Sequence, residues 1–325
     1  MKSTEEMYYN RIVGQRIVSK INGDFKWLIE YVENNPELDF QTGSNKQSTW
    51  FSVYRGTGRI FTISTGFTDR SIIKVWAADA YFDLQRDFYD NPSKEGFEKL
   101  LKKIRNNPKF DRYYADNGNI NKREGYYQNL ISKRYSLFCQ SEDEFVIVDK
   151  EFVLGYSDQT TKDNLCKPID DEYKKIIDDL NNGNEVPHKG LKSSGSECDF
   201  VGLCKNGDII LLELKRKEDN EKIMLSPLQV SKYGKYLQLY MGKNSERLER
   251  DIIDMTKQKI NDLHILKPKW NIPEHLTGNV RLAVVVGGEV DKRTKSLCDK
   301  VEKKINDVNV EKYKCDEYGT LIKGW

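Results

Sequence analysis

The sequence predicts a mixed α/β chain, α+β overall, with an N-terminal antiparallel domain followed by a mixed β-sheet flanked by helices. Three observations predict it. Alternating strand patterns joined by glycine turns crowd the first half, and strand and helix periods interleave in the second. One late run, Val280 to Val286, is apolar enough for a strand buried on both faces.

The first ~45 residues read as helical, with Ile12, Val13, Ile17, Ile21, Trp27, Leu28 and Tyr31 spaced for buried faces. Trp50 to Tyr54 then alternates, Gly56-Thr57-Gly58 turns, and Ile60 to Ile63 returns, which is a β-hairpin by period and turn chemistry. Ile72 to Leu84 is expected to add a strand. Ser93 caps a helix reaching Asn106, with Phe97, Leu100, Leu101 and Ile104 as its stripe. Phe138 and the run Phe145 to Tyr156 suggest a second strand pair. These elements make up an N-terminal domain of residues 1–160, for substrate recognition, regulation or assembly, and the polar stretch Ser157 to Lys167 reads as a linker. The second domain, 161–325, opens with a helix over Asp170 to Leu180 and a loop from Asn181 to Ser196. Strands Cys198–Leu203 and Ile209–Leu214 follow, then helices from Ser226 to about Met241 and from Glu246 to Leu266. Val280–Val286 is a strand, and Arg293 to Asp307 is a final helix.

Composition excludes several classes of function. With 38% hydrophobic residues over 325 positions the chain can build real cores. Its 53 basic and 51 acidic residues leave a formal charge of +2, unlike a protein that simply coats a polyanion. No run of about 18 apolar residues predicts a membrane helix, and the start MKSTEEMYYN lacks the apolar core of a secretory signal, so a cytoplasmic protein is expected. The six cysteines form no CxxC pair and read as reduced thiols, and the three histidines have no zinc-ligand spacing.

The chemistry concentrates in SECDFVGLCKNGDIILLELKRK. On a strand Glu213 and Lys215 share a face while Leu214 points away. Carboxylates hold hard cations such as Mg²⁺ (or Mn²⁺), which polarise a phosphate and acidify bound water, and a lysine beside them can orient that water. An isolated E-x-K is common on exposed strands. Two additions set this one apart: Asp199 lies fourteen residues before Glu213, and a helix expected to start with Ser226 as N-cap and Pro227 in its first turn sets Gln229 and Tyr233 at i and i+4 on one face. Register is a condition. A two-residue Asn206-Gly207 turn would put Asp199 and Glu213 on opposite faces, whereas a three-residue turn over Lys205–Gly207, with Gly207 left-handed, sets them opposite one another.

The pattern D-x13-E-x-K followed by Q-x3-Y resembles the PD-(D/E)XK nuclease superfamily, in its RecB-like and lambda-exonuclease-like branch. The resemblance covers roughly residues 170–290. It implies a restriction-endonuclease-like fold and a metal-dependent nuclease acting on DNA, with a restriction or phage-defence role by analogy. It further implies that Asp199, Glu213 and the main-chain carbonyl of Leu214 bind Mg²⁺ or Mn²⁺. Lys215 would handle the attacking water, with Gln229 and Tyr233 positioning Lys215 or a phosphate. A helix carboxylate often completes such sites; Glu172 is the candidate, ahead of Asp171 and Glu185, and His188 matches a histidine of some relatives. Cys198 stands where the family's proline would be. Arg216, Lys217, Lys232 and Lys235 are candidate phosphate contacts, and Glu197 reads as a strand-edge residue. The Lys122–Tyr135 stretch interleaves bases and tyrosines and reads first as an amphipathic helix, second as a strand-gripping surface. Partners expected are nucleic acid, a second copy or an activating protein, and no membrane. The competing readings are a catalytically inactive nucleic-acid-binding module of the same fold and an interaction scaffold with a coincidental E-x-K.

Overall fold

The structure is a computed structural model that describes residues 6–9, 11–45, 47–66, 74–76, 79–116, 118–183, 197–305 and 308–325. It divides into two compact units. One joins Met1–Tyr9, Glu144–Arg250 and Pro273–Trp325; the other joins Asn10–Asp143 and Asp251–Ile272. Strand β1 (Met7–Tyr8) belongs to the first of these.

The second unit begins with helices α1 (Gln15–Asn22) and α2 (Lys26–Glu33). The expected helical stretch stops there. Asn35-Pro36 cannot continue a helix, because the residue before a proline is driven out of the α region, and Leu38 to Ser44 becomes strand β2 (Leu38–Ser44). It joins β3 (Ser48–Arg55), β4 (Gly58–Gly66) and β5 (Lys74–Trp76) in an antiparallel sheet ordered β2-β3-β4-β5. Of the strand expected over Ile72–Leu84, only β5 appears; Asp79 onward is helical, as α3 (Asp79–Phe82), α4 (Arg86–Asp90) and α5 (Lys94–Arg105). Ser93 caps α5 by accepting from Gly96 N. A 3₁₀ turn at Pro108–Tyr113 leads to α6 (Glu124–Tyr135). Phe25, Phe51, Phe61, Phe88 and Phe97 centre the core. The bases of α6 have structural partners: Lys133 Nζ donates to the carbonyls of Val32, Glu33 and Asn35, and Arg134 grips Asp143. The segment 251–272 belongs to this unit because Gln258 bonds both the N–H and the carbonyl of Val13, each at 2.7 Å, while Leu263 and Ile265 enter the core.

The first unit is built on a six-stranded sheet. Its members are β6 (Phe145–Phe152), β8 (Cys198–Cys204), β9 (Ile209–Arg216), β10 (Val280–Gly287), β11 (Val310–Cys315) and β12 (Leu321–Lys323), ordered β12-β11-β10-β9-β8-β6. Strands β6, β8 and β9 are antiparallel neighbours, β9, β10 and β11 run parallel, and β12 returns antiparallel. A small ribbon pairs β1 with β7 (Gly155–Tyr156). The boundary expected at 160 therefore shifts: Phe145–Phe152 hydrogen-bonds to Cys198–Cys204 and does not pair with Phe138, which is an exposed loop residue. The expected linker is also helix. Asp158 accepts from Thr161 N and starts α7 (Gln159–Asn182), which carries Pro168 inside it.

Helix α8 (Asn220–Asn261) has a non-helical Asn244, so two helices meet there, as the break between the two expected helices anticipated. Its start differs from expectation. Ser226 is no N-cap; it lies inside the helix, and its hydroxyl donates to Ile223 O at 2.6 Å. That carbonyl is the one Pro227, lacking an N–H, leaves unserved. Helix α9 (Lys292–Glu302), capped by Asp291, crosses from β10 to β11. Tyr173, Ile177 and Leu180 of α7, Met224 and Leu228 of α8, and Val301 of α9 form one buried cluster. Among the described residues no helix is long and apolar enough to cross a membrane. All six cysteines are buried thiols outside any disulfide.

Two features hold the sheet. Gly207, at φ +91°, closes the β8–β9 turn, and its N–H reaches Cys204 O at 3.0 Å. A Cβ there would meet the His275 carbonyl oxygen at 2.5 Å. Gly207→Ala should therefore lower the unfolding free energy by about 2 kcal/mol, read from the denaturant midpoint, whereas an unmoved midpoint would show the turn to be tolerant. Across β10–β12, Arg281 clasps Glu311 at 2.7 and 2.9 Å, and Tyr313 Oη and Lys323 donate to the same carboxylate. Burial opposes ionisation of Glu311, but these donors outweigh it and hold its carboxyl at about 2, against 4.5 ordinarily. A depressed carboxyl contributes stability above its unfolded pKa that is lost as pH falls through the folded one. Melting scans should show Glu311→Gln flattening the acid limb between pH 4.5 and about 2.

Candidate active site

Strand register builds the site. Phe200 pairs with Leu212 and Val201 with Leu211, so the next facing positions along the ladder are Asp199 and Glu213. This is the odd register of a three-residue turn over Lys205–Gly207, with Gly207 left-handed, the alternative on which a shared site for Asp199 and Glu213 depended. Asp199 is half-buried, and its Oδ2 accepts the Leu214 N–H at 2.7 Å. Glu213 and Lys215 are buried, 1% and 7% exposed, and form an ion pair through Glu213 Oε1 and Lys215 Nζ. Both sit near the carboxyl end of β9, paired with Val284 and Val286 of β10. Valines on the neighbouring strand offer these charges no polar partner, so the ion pair and the hydrogen bonds around it must satisfy them.

The α8 side chains lie against this end of the sheet. Tyr233 is buried and hydrogen-bonds with Gln229, and its hydroxyl feels the carboxylates of Glu213 and Asp199. Burial first, then Glu213, pushes its pKa far above the ordinary phenol value, so it stays a proton donor at all working pH. Burial also raises the Asp199 carboxyl, against the opposing pull of Lys215, the Leu214 N–H and Glu213. Cys198, at the proline position, is a thiol held well above its usual pKa by burial and by both carboxylates. It is therefore a neutral packing residue there.

The structure thus brings together Asp199, Glu213, Lys215, Gln229 and Tyr233. It does not bring Glu172 to them: that residue is exposed on α7, and no contact among the described residues joins it to either carboxylate. Asp171 pairs with Lys167 along the helix instead. The α7 carboxylate that reaches α8 is Asp170, whose Oδ1 accepts from Lys232 Nζ and Tyr236 Oη, each at 2.5 Å. Glu185 and His188 lie outside the described residues. Of the candidate phosphate contacts, Arg216 is engaged by Asp219 and Lys232 by Asp170, while Lys217 is exposed and Lys235 half-exposed. Glu197 is exposed at the strand end.

Sequence reasoning missed Glu151. It lies on β6, between residues paired with Phe200 and Cys198 and so beside Asp199, whose carboxyl it pushes up. Its φ is +52°, a region that costs a residue with a long side chain about 1–2 kcal/mol. No sequence signal marks it; Lys150-Glu151 reads as an ordinary strand end. Glu151→Asn, a residue at ease in this conformation, should raise stability by about 1 kcal/mol in chemical denaturation, and a destabilised variant would show that the Glu151 carboxylate is itself needed.

The donor set suits a hard divalent cation. Asp199 and Glu213 offer carboxylate oxygens on one face of the sheet, and Mg²⁺ is typically held by one or two carboxylates, the rest of its shell being water and phosphate oxygens. Among the described residues no three His, Cys, Asp or Glu side chains form a ready-made cage. No family model matches the chain, and no curated protein or solved structure shows significant similarity to it.

Proposed function

We propose that this chain is a metal-dependent nuclease that hydrolyses phosphodiester bonds, most directly in DNA, through a site centred on Asp199, Glu213 and Lys215. The observation that supports it is the β8–β9 register, which sets two carboxylates opposite each other with a lysine on the same face and the Gln229–Tyr233 pair against them. The sheet order and strand directions of β6 to β11, with helices crossing between the parallel strands, agree with the restriction-endonuclease-like fold that the motif implies.

In this reading Asp199, Glu213 and the Leu214 carbonyl hold Mg²⁺ or Mn²⁺, which when bound supplies charge for the phosphate and lowers the pKa of water. Lys215, paired with Glu213 in this structure, would be the residue to orient the attacking water or meet the phosphate, Glu213 being the one that would hold the cation. Tyr233, kept protonated, would donate to the phosphate while its oxygen accepts from Gln229. Burial of Lys215 and Glu213 excludes bulk water and strengthens each of these interactions. A chain of two units, each with its own core, suits a regulated enzyme of restriction or phage defence, with the second unit selecting substrate or awaiting an activator.

The test compares wild type with Lys215→Ala on circular DNA, linear DNA and RNA, in Mg²⁺, Mn²⁺ or chelator. Cleavage should require metal and fall by about 10²–10³ in the variant when assayed well below its melting temperature, which should itself drop because the substitution breaks the buried ion pair with Glu213. Cleavage that survives the substitution would remove Lys215 from the mechanism. Binding without cleavage under every metal would favour an inactive module of this fold.

A further inference from the structure

A pocket of about 210 Å³ opens beside the catalytic cluster and shares Tyr233 with it. Its lining includes the aromatic Tyr156 and Tyr236 and the exposed, apolar Val153. Lys162 stands exposed at its rim, and among the described residues no carboxylate pairs with its Nζ. Inside, Asp170 receives both Lys232 and Tyr236 on Oδ1. Burial works against ionisation of Asp170, but those two donors outweigh it, so the carboxylate is charged and its Oδ2 can accept a further N–H. The pocket's two lysines against one aspartate leave a net positive lining.

We infer that this pocket takes one unstacked nucleobase of the substrate strand, with Lys162 on an adjoining phosphate and Asp170 Oδ2 accepting from the base edge. Size decides the occupant class. Pockets for drug-sized molecules run to about 300–1,000 Å³, so this one suits a single ring system. A paired, stacked base cannot enter it, which selects strands with unpaired bases near the scissile phosphate. Aromatic walls accept any base face, so stacking confers affinity and only the Asp170 contact confers a preference, toward bases with N–H donors on their edge. The shared Tyr233 places the captured base next to the residues that act on the phosphate. The identity of the ligand as part of a nucleic-acid strand rests on the nuclease reading; the pocket's shape and chemistry do not.

The experiment uses the full chain in chelator, where nothing is cleaved. Fluorescence anisotropy compares a labelled single strand with a wholly abasic strand of the same length. The base-bearing strand should bind about tenfold tighter, the effect of one good stack. Val153→Trp, which fills the mouth from an exposed position, should bring that ratio to about one. Lys162→Glu should weaken both strands alike, because it meets a phosphate. A ratio near one in wild type, or an undiminished ratio in Val153→Trp, would overturn the pocket assignment even if metal-dependent cleavage is found. A tenfold ratio in a protein that cleaves nothing would instead remove the nuclease reading and leave the pocket standing.

Discussion

The turn between β8 and β9 decides which face every side chain of β9 occupies. Strand side chains alternate with a period of two, so one residue more or less in that turn would move Glu213 and Lys215 to the opposite face from Asp199. Gly207 makes the three-residue turn feasible because its φ of +91° is open to glycine at little cost. Asp208 then ties the turn down, accepting from Asn206, Thr277 and Asn279. Polar residues at one end of the hairpin thus determine the arrangement of carboxylates at the other.

That arrangement is costly to the fold. Glu213 and Lys215 are ionisable groups in a strand otherwise packed with Ile and Leu, where a buried charge is costly unless it is paired. Their mutual pairing and the Leu214 N–H on Asp199 offset this only in part, as the raised Asp199 carboxyl shows. Glu151, in a left-handed conformation beside Asp199, adds further negative charge. Strain and like charge gathered at one strand end are the expected mark of a site shaped by chemistry rather than by stability.

Helices α7 and α8 complete the arrangement through compensations invisible at the level of propensity. Pro227 would ordinarily interrupt a helix, yet Ser226 serves the carbonyl that Pro227 cannot, and α8 holds the phase that sets Gln229 and Tyr233 together against the sheet. Asp170 joins α7 to the same stretch of α8 through Lys232 and Tyr236, and this contact frames the pocket beside Tyr233.

Local chemistry made much of this legible in the sequence. The facing of Glu213 and Lys215, the Gln229–Tyr233 spacing and the cap at Ser93 each depend on a few consecutive residues, and periodicity reports them directly, whereas the Asn206-Gly207 sequence allowed a two- or a three-residue turn and only the strand pairing chose between them. What needed the tertiary structure was pairing between distant segments. Phe145–Phe152 alternates like any strand, and only its partner, Cys198–Cys204, assigns it to the unit that carries Asp199 and Glu213. The segment 251–272 joins the other unit because Gln258 meets Val13, across a separation no local pattern encodes. Likewise Glu172 and Asp170 are both acids on one helix, and spacing along the chain cannot say which faces α8; the packing of Tyr173, Ile177 and Leu180 turns Asp170 toward it and leaves Glu172 in water. Side-chain direction on a helix is set by what the helix buries, and that is a property of the assembled fold.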